Sequence, residues 1–153
     1  MTLSSEPLHH LALEGKVIEL VRGIKASQCL NSQRSIDGRS LLMTAAACGQ
    51  PGCVQALLAM EADPHLLDHQ NRTALSWAVE AADEDSIQAL LQAGASVEVT
   101  GCGPTGTLSL RERALELKIP PILALIENAM RQQRAEHLLV AWPSTDHVDR
   151  ERL

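Results

Sequence analysis

Apolar residues recur along the chain at the spacing of one face of an α-helix. A stripe at positions i, i+3 and i+4 occurs four times, and its copies begin at Val17, Val54, Ile87 and Ile122. The copies stand 37, 33 and 35 residues apart. Such spacing is typical of amphipathic helices that bury one face. The pattern therefore predicts four similar helices in a regular array.

A comparison of the chain with itself shows how much of each unit repeats. Residues 37–66 match residues 70–99 after a shift of 33 residues. The paired identities are Arg39/Arg72, Leu42/Leu75, Ala45/Ala78, Gln55/Gln88, Ala56/Ala89, Leu57/Leu90, Leu58/Leu91 and Ala62/Ala95. A period of this length indicates a repeat architecture in which neighbouring units share a core. Each unit is predicted to contain a turn, a short helix of small residues, a second turn and a helix that carries the aliphatic stripe.

Capping residues mark the helix ends in the third unit. Thr73 has the side chain of an N-cap and precedes the short helix that contains Leu75 and Ala78. Residues 83–86 are predicted to end this helix, with Ser86 as the cap of the next one. Gly94 follows that second helix, at the position where a left-handed residue is favoured.

The ends of the units carry the pattern of a known family. They open with PLH at 7–9, GRSLL at 38–42 and NRTAL at 71–75, and two of them close with EADPH at 61–65 and GASVE at 94–98. This pattern resembles the ankyrin repeat, a unit of about 33 residues. The resemblance implies an all-α ankyrin-repeat helical solenoid with short hairpin-like turns and with N- and C-terminal capping repeats. For His9 it implies a structural hydrogen bond to the backbone.

The resemblance covers residues 7–130. We expect repeats at residues 7–35, 36–68, 69–100 and 101–130, with an N-terminal extension at 1–6 and a C-terminal helix extension and polar tail at 131–153. Two segments depart from the family pattern: residues 24–36 predict a loop excursion, and residues 101–106 predict an irregular, glycine-rich loop. The last repeat is predicted to be a capping pair of helices at 107–118 and 121–135. Its polar outer face would contain Arg111, Glu112, Arg113, Glu116 and Lys118.

Composition excludes several classes of function. The 153 residues include two tryptophans and no phenylalanine or tyrosine, which argues against aromatic platforms for nucleic-acid bases or methylated amines. The net charge of −6 also argues against nucleic acid as a partner. Residues 51–100 contain eight acidic side chains and one basic side chain, Arg72. This surplus is either a solvated surface or a field that steers a partner with a basic surface.

The sequence contains no signal that directs the chain to a membrane. Its first residues lack the basic start and apolar run of a secretory signal, and no window approaches the ~20 apolar residues of a membrane span. Four cysteines are too few and too irregularly spaced for a disulfide scaffold. We therefore expect a reducing, cytoplasmic location, no membrane partner and a monomer.

The candidate metal ligands and nucleophiles do not form a known catalytic pattern. His65 and His69 have helical ligand spacing, but Pro64 and the turn position place them in the connection between repeats. Cys48 and Cys53 are five residues apart, which is wider than the usual spacing of zinc ligands. The chain has no phosphate-binding loop, dinucleotide fingerprint or nucleophile elbow. We predict no metal, no cofactor and no catalytic residues. The alternative is a metal- or thiol-dependent enzyme or regulator that uses histidines and cysteines.

The remaining interpretation is a non-enzymatic module that binds another protein. A solenoid offers an extended concave surface, and the resemblance implies contacts from hairpin tips and from the exposed sides of the first helices. The candidate binding residues are Asp37, Arg39, Cys48, His69, Gln70, Arg72, Trp77, Glu80 and Ala81, with Ile36, Ala47, Leu13 and Glu14 on the same surface. An inhibitor, an antitoxin-like protein, an adaptor and a secreted effector that targets host proteins all fit this interpretation.

Some of these residues have more specific expected roles. We expect Arg39 and Arg72 to orient the partner and Glu80 to add to an acidic field. Trp77 has two interpretations. It either packs between the first helices of adjacent repeats or serves as an exposed anchor, since tryptophan is enriched in binding hot spots. We expect Trp142 to fold back on the last helix.

Overall fold

Helices account for most of the chain in the computed structural model, which describes residues 6–98, 100–102 and 108–141. In chain order the helices are α1 (Glu6–Leu13), α2 (Val17–Ser27), α3 (Leu41–Ala47), α4 (Pro51–Ala59), α5 (Ala74–Glu80), α6 (Glu84–Gln92), α7 (Leu110–Leu117) and α8 (Pro120–Ala141). Two short strands, β1 (Thr100–Cys102) and β2 (Leu108–Ser109), precede α7 and pair antiparallel. No described helix is both long and apolar enough to span a lipid bilayer.

The helices form two layers, each a row of neighbours. In one layer α1, α3, α5 and α7 pack side by side, and in the other α2, α4, α6 and α8 do the same. The two helices of each unit also contact each other and join the layers. Small side chains permit the close approach in the first layer, where Ala45, Ala46 and Ala78 are fully buried. The all-α solenoid predicted from the repeats is confirmed.

Side-chain oxygens begin three of the first-layer helices. The hydroxyls of Ser40 and Thr73 each accept a hydrogen bond from the backbone N–H three residues further on, so the predicted cap at Thr73 is confirmed. Ser109 and Glu112 form a reciprocal capping box at the start of α7. The hydrogen bonds from the backbone and hydroxyl of Ser109 lower the pKa of the Glu112 carboxyl.

The second helix of the third unit begins earlier than predicted. Ser86 is not its cap: α6 starts at Glu84, with Asp83 at the N-cap position. Ser86 is fully buried within the first turn, and its hydroxyl donates a hydrogen bond to the Asp83 carboxylate. The earlier start places Glu84 and Asp85 in the first turn, where negative charge interacts favourably with the helix dipole.

Residues with a positive φ angle follow the helices at regular intervals. They are Gly15, Gly49 and Ala82 after α1, α3 and α5, and Gln28, Glu61 and Gly94 after α2, α4 and α6. Gly94 was predicted to be left-handed, and its φ of 83° confirms this. The left-handed region disfavours residues with a Cβ atom, so glycine suits these positions. Ala82, at φ 55°, occupies a position where the two preceding units have glycine.

The first repeat unit is shifted by about one helical turn from the alignment that its sequence stripe predicts. In α2 the buried residues are Leu20 and Ile24, whereas Val17 and Val21 are only half-buried. Ile24 therefore occupies the position that Leu57 has 33 residues later. The stripe beginning at Val17 predicts Leu20 at that position. Two overlapping apolar stripes run through this segment, and packing against α4 selects the later one.

The shift of the first unit removes the predicted loop excursion at residues 24–36. Ser27 ends α2, and Leu41 begins α3 thirteen residues after the left-handed Gln28. In the next unit Ala74 also follows the left-handed Glu61 by thirteen residues. The two connections therefore have equal length, and the prediction of an excursion is wrong.

The last unit is a helix pair with three differences from its prediction, the first of which is that α7 begins at Leu110 and not at residue 107. Thr100 and Cys102 pair with Ser109 and Leu108, so the predicted irregular loop begins as a two-stranded ladder; residues 103–107 lie outside the described residues. The second helix is also longer than predicted and reaches Ala141. Trp142 lies outside the described residues as well.

The polar side chains of α7 do not all face outward as predicted. Arg111, Glu112, Glu116 and Lys118 are exposed. Arg113 is the exception: its guanidinium turns back to Glu80 at the end of α5, with 2.6 Å between Nη2 and Oε2. This ion pair joins the capping unit to the third repeat.

Replacement of Leu90 by alanine tests the shared core. Leu90 is fully buried between α6 and its neighbours, and we expect Leu90→Ala to lower the free energy of unfolding by about 2–5 kcal/mol because of the cavity it leaves. Urea unfolding followed by circular dichroism measures the change. The control is Leu138→Ala on the exposed end of α8, which should change stability by less than about 0.5 kcal/mol. Equal stabilities of the two variants would contradict the observed packing.

Replacement of Ala82 by glycine tests the left-handed helix ends. Ala82→Gly removes the Cβ that opposes a φ of 55° and should raise the free energy of unfolding by about 0.5–1 kcal/mol. The neighbouring Ala81 has an ordinary helical φ of −76°, so Ala81→Gly should lower it by a similar amount. Thermal and urea unfolding of both variants show whether the free energy of unfolding rises or falls in each. Destabilisation by Ala82→Gly would contradict the left-handed assignment.

Candidate protein-binding face

The connections that precede α3 and α5 form neighbouring hairpins at one end of the first-layer helices. In the first, Arg34 N–H donates to the Arg39 carbonyl at 2.9 Å, and in the second, Asp68 N–H donates to the Arg72 carbonyl at 3.0 Å. We call the surface of residues 33–39 and 67–72, together with Trp77, the hairpin face. The repeat places equivalent residues of the two hairpins side by side.

Hydrogen bonds and a close contact lock the two hairpins together. His69 N–H donates to the Asp37 carbonyl at 3.0 Å, and the amide of Gln33 donates to the carbonyls of Gly38 and Leu67, both at 2.7 Å. A Cβ atom at Gly38 would lie 2.5 Å from the His69 ring, and the φ of Gly38 is 72°. Only glycine permits this approach, so the hairpin face has a defined and rigid shape.

A stack of three side chains occupies the centre of the hairpin face. The guanidinium carbons of Arg39 and Arg72 each lie 3.7 Å from the centre of the Trp77 ring. Two guanidinium groups cannot share that position over one side of an indole, so they lie on its opposite sides. Each contact is a cation–π interaction, worth about 0.5–1 kcal/mol at an exposed site and more where water is excluded.

Asp68 anchors the Trp77 side of the stack. Its Oδ2 accepts hydrogen bonds from the indole Nε1–H of Trp77 at 3.0 Å and from Nε–H of Arg72 at 3.2 Å. Its Oδ1 accepts the backbone N–H groups of Gln70 and Arg72 at 2.8 and 2.9 Å. The side chain is only 1% exposed, and these four donors compensate for burying its charge.

Asp37 holds the arginines of the first hairpin. Its Oδ2 lies 3.3 Å from Nε of Arg39 and 3.7 Å from Nη1 of Arg34. Its Oδ1 accepts the backbone N–H of Arg39 at 3.1 Å. Each hairpin therefore has one carboxylate that orients its own arginine toward the shared indole.

A match to known repeats identifies this architecture. A family model described as ankyrin repeats, in three copies, matches residues 7–100, which are more than half of the chain. The chain belongs to the ankyrin repeat family. Ankyrin repeats are generally non-enzymatic modules of protein–protein interaction.

Similar proteins come from several organisms. NF-kappa-B inhibitor delta of Mus musculus is 28% identical over 119 residues, which are 74% of this chain and 36% of that protein. A chain in the solved complex of the Bd0816 predatory endopeptidase from Bdellovibrio bacteriovorus with immunity protein Bd3460 superposes with a TM-score of 0.72 and 28% identity, over 80% of this chain and 63% of that one. The human ASB11 ankyrin repeat domain has a TM-score of 0.70 and 22% identity, over 80% and 53% of the two chains, and shows the shared fold alone.

The ankyrin fold brings six of the predicted binding residues together on the hairpin face and places three elsewhere. Asp37, Arg39, His69, Gln70, Arg72 and Trp77 lie on it, and Ile36 lies at the tip of the first hairpin. Cys48 and Ala81 follow α3 and α5 at the opposite end of these helices, at the same end as Leu13, the last residue of α1, Glu14 after it and Ala47, the last residue of α3. Glu80 also lies at that end, where Arg113 balances its charge. The predicted roles in binding stay predictions.

The structure gives Trp77 a more specific place than either interpretation of its sequence. The ring is half-buried against the core and lies between two arginines of adjacent hairpins. Asp68 and Arg34 complete the network and were missed by sequence reasoning. One signal in the sequence could have linked Asp68 to Trp77. Both residues differ from their equivalents in the preceding ankyrin repeat, Ser35 and Thr44, and two positions that change together can be in contact.

Histidines and cysteines have structural positions in this ankyrin domain. His9 is buried, and its Nδ1 lies 2.8 Å from the hydroxyl of Thr44 in the next repeat; its implied hydrogen bond to the backbone stays a prediction. His69 is exposed, and the described residues contain no group of three or more side chains that could hold a metal ion. Cys53 is buried, which raises the pKa of its thiol and disfavours the reactive thiolate, whereas Cys48 is exposed.

Replacement of Asp68 by asparagine tests the anchor of the stack. Both carboxylate oxygens accept two N–H groups, so an amide in either orientation turns its NH₂ group toward two donors. We expect Asp68→Asn to lower the free energy of unfolding by about 2–3 kcal/mol. The control is Asp63→Asn, because Asp63 accepts one backbone N–H from His65 in a turn and should cost less than about 1 kcal/mol. Equal losses in urea unfolding would contradict the anchoring role.

Proposed function

We propose that this ankyrin domain binds another protein through the hairpin face and acts on it as an inhibitor, as an antitoxin-like protein or as an adaptor. The observation that carries the proposal is the Arg39–Trp77–Arg72 stack, which presents a rigid group of side chains at the centre of an exposed surface. Tryptophan and arginine are the residue types most enriched in interface hot spots. Their fixed geometry lowers the conformational entropy that binding would cost.

Exposed apolar side chains beside the stack support the same surface. Ile36 at the tip of the first hairpin is 76% exposed, and Leu67 at the start of the second is 48% exposed. A β-branched apolar residue at a hairpin tip gains nothing from the fold and is stabilised when a partner covers it. Aromatic residues and arginine are enriched in interfaces, and the apolar side chains beside them add to the area that a partner would bury.

The relatives support an inhibitory role within the family. One of them is named as an NF-kappa-B inhibitor, and another comes from a complex of an endopeptidase with an immunity protein. Both names refer to the association of one protein with another. This chain spans a part of those proteins, so a partner and its identity are proposals for it.

The predicted basic surface on the partner would meet a different part of the domain. Glu84 and Asp85 are exposed at the start of α6, at the far end of α5 from the hairpins. A partner that approaches this end and Cys48 would encounter negative charge. Monomeric behaviour and a cytoplasmic location remain parts of the proposal, and an exposed free thiol at Cys48 fits a reducing compartment.

Affinity capture with two matched variants tests the binding face. Wild type, Arg39→Glu/Arg72→Glu and Arg131→Glu/Arg134→Glu are immobilised and incubated with extract of the native cell. The second pair lies on the exposed side of α8 and changes the net charge by the same amount. We expect one protein to be retained by wild type and by the α8 variant and to be reduced at least about tenfold with the hairpin variant, since fully desolvated hot-spot residues contribute 2 kcal/mol or more.

Two results would overturn the proposal. Retention of the same protein by all three baits would move the binding site away from the hairpin face. Retention of no specific protein would remove the binding function. When the retained protein is an enzyme, an activity assay with the purified domain separates an inhibitor, which lowers its rate, from an adaptor, which leaves its rate unchanged.

A further inference from the structure

We propose that the hairpin face recognises an extended acidic segment of the partner protein, whose carboxylates bind the two arginines of the stack. The inference rests on the proposed function and names the chemistry of the partner at that surface. It follows from three observations: the local charge of the hairpin face, the free hydrogen-bond donors of its arginines, and the distance between them.

The hairpin face is cationic although the chain as a whole is acidic. Its two hairpins contain three arginines, Arg34, Arg39 and Arg72, against the carboxylates of Asp37 and Asp68. Asp68 is buried beneath the stack, so an approaching partner contacts the guanidinium groups and not its carboxylate. The exposed imidazole of His69 lies beside Gly38 and adds a second kind of N–H donor to the same surface.

Three acids of the surplus lie away from this surface. Glu80 is paired with Arg113, and Glu84 and Asp85 lie beyond the far end of α5. A helix of seven residues is about 10 Å long. This distance is close to the Debye length of about 8–10 Å at physiological salt, so the charges of Glu84 and Asp85 are screened from a ligand on the hairpin face.

The arginines of the stack keep donors available. Arg72 uses its Nε–H for Asp68, and Asp37 lies nearest to Nε of Arg39. The terminal nitrogens of Arg39 and Arg72 make no hydrogen bond with the described residues, and none of these four atoms is buried. They therefore reach solvent, and the Arg39 and Arg72 side chains are 28% and 15% exposed. A guanidinium with its NH₂ edge exposed binds a carboxylate in two parallel hydrogen bonds.

The spacing of the two guanidiniums favours separate carboxylates on one extended chain. Each guanidinium carbon lies 3.7 Å from the indole centre on opposite sides, which places the two about 7 Å apart. Side chains at positions i and i+2 of an extended strand project on one side and lie about 6.5–7 Å apart. The exposed Ile36 and Leu67 beside the stack would contact the flanking residues of such a segment.

The test uses a synthetic peptide of eight alternating glutamates and threonines as the probe. The full chain carries Trp142→Phe, so that Trp77 is its sole tryptophan. Two-dimensional NMR follows the indole N–H of Trp77 and the Nε–H signals of the arginines during titration. We expect saturable shifts of the Trp77 signal, with binding that weakens as salt is added because the interaction is ionic.

Matched variants separate the stack from general electrostatics. Arg39→Gln/Arg72→Gln should weaken peptide binding at least about tenfold, whereas Arg131→Gln/Arg134→Gln, with the same loss of charge, should change it by less than about twofold. Arg39→Lys/Arg72→Lys retains the charge and removes the planar fork, and it should weaken binding severalfold. Circular dichroism confirms that each variant is folded. A comparison of the glutamate peptide with peptides that carry lysine or phosphoserine instead needs no substitution in the hairpins.

Several outcomes would overturn the inference. They are the absence of a saturable Trp77 shift, an equal loss in the hairpin and α8 variants, and tighter binding of a peptide with lysine or phosphoserine in place of glutamate. The proposed function is tested separately by affinity capture. If a partner is captured through the hairpin face while the glutamate peptide causes no shift, the acidic-segment inference is wrong and the binding function stands. If the peptide binds and no partner is captured, the hairpin face recognises acidic segments and the proposed binding of a partner protein is wrong.

Discussion

Each helix of the first three repeats depends on its neighbours for stability because it is too short to persist alone. These helices have seven to eleven residues, below the ~12–15 that an isolated helix needs in water. Leu41, Leu57, Leu75 and Leu90 are buried between units, so each unit completes the core of the next. The two-layer packing sets the distance between adjacent first helices, and that distance brings the two hairpins within hydrogen-bonding reach.

The stack on the hairpin face combines two arginines that the repeat supplies with Trp77, a residue that the preceding repeat lacks. Repetition places Arg39 and Arg72 at equivalent positions of neighbouring hairpins, where two cations side by side would repel each other. Trp77 lies between them and offers a π face to each, while Asp37 and Asp68 supply a carboxylate on either side. The arginines are thereby oriented without a ligand. A surface of this kind binds with a smaller loss of side-chain freedom than one of mobile charges.

The charge of this surface differs from the charge of the whole chain. A net charge of −6 describes the field far from the molecule, whereas a ligand in contact responds to groups within about 10 Å. Two of the eight acids in residues 51–100, Asp68 and Glu80, are paired with arginines, and others lie beyond the far end of α5. Net charge therefore indicates which encounters are favoured at long range, and the local arrangement decides which side chains are recognised.

The sequence by itself determined the repeat, the two helices of each unit and the caps at Thr73 and Gly94, because these depend on local spacing and on residues close in the chain. It also named six residues that lie together on the hairpin face, whose role in binding stays a prediction. Only the tertiary structure decided the alignment of the first unit, where α2 contains two overlapping apolar stripes and packing against α4 buries Leu20 and Ile24. The same holds for the inward turn of Arg113 and for the Arg39–Trp77–Arg72 stack, whose members are up to 38 residues apart in sequence. Contacts between units depend on how neighbouring helices approach each other, and no local pattern in one unit records that distance.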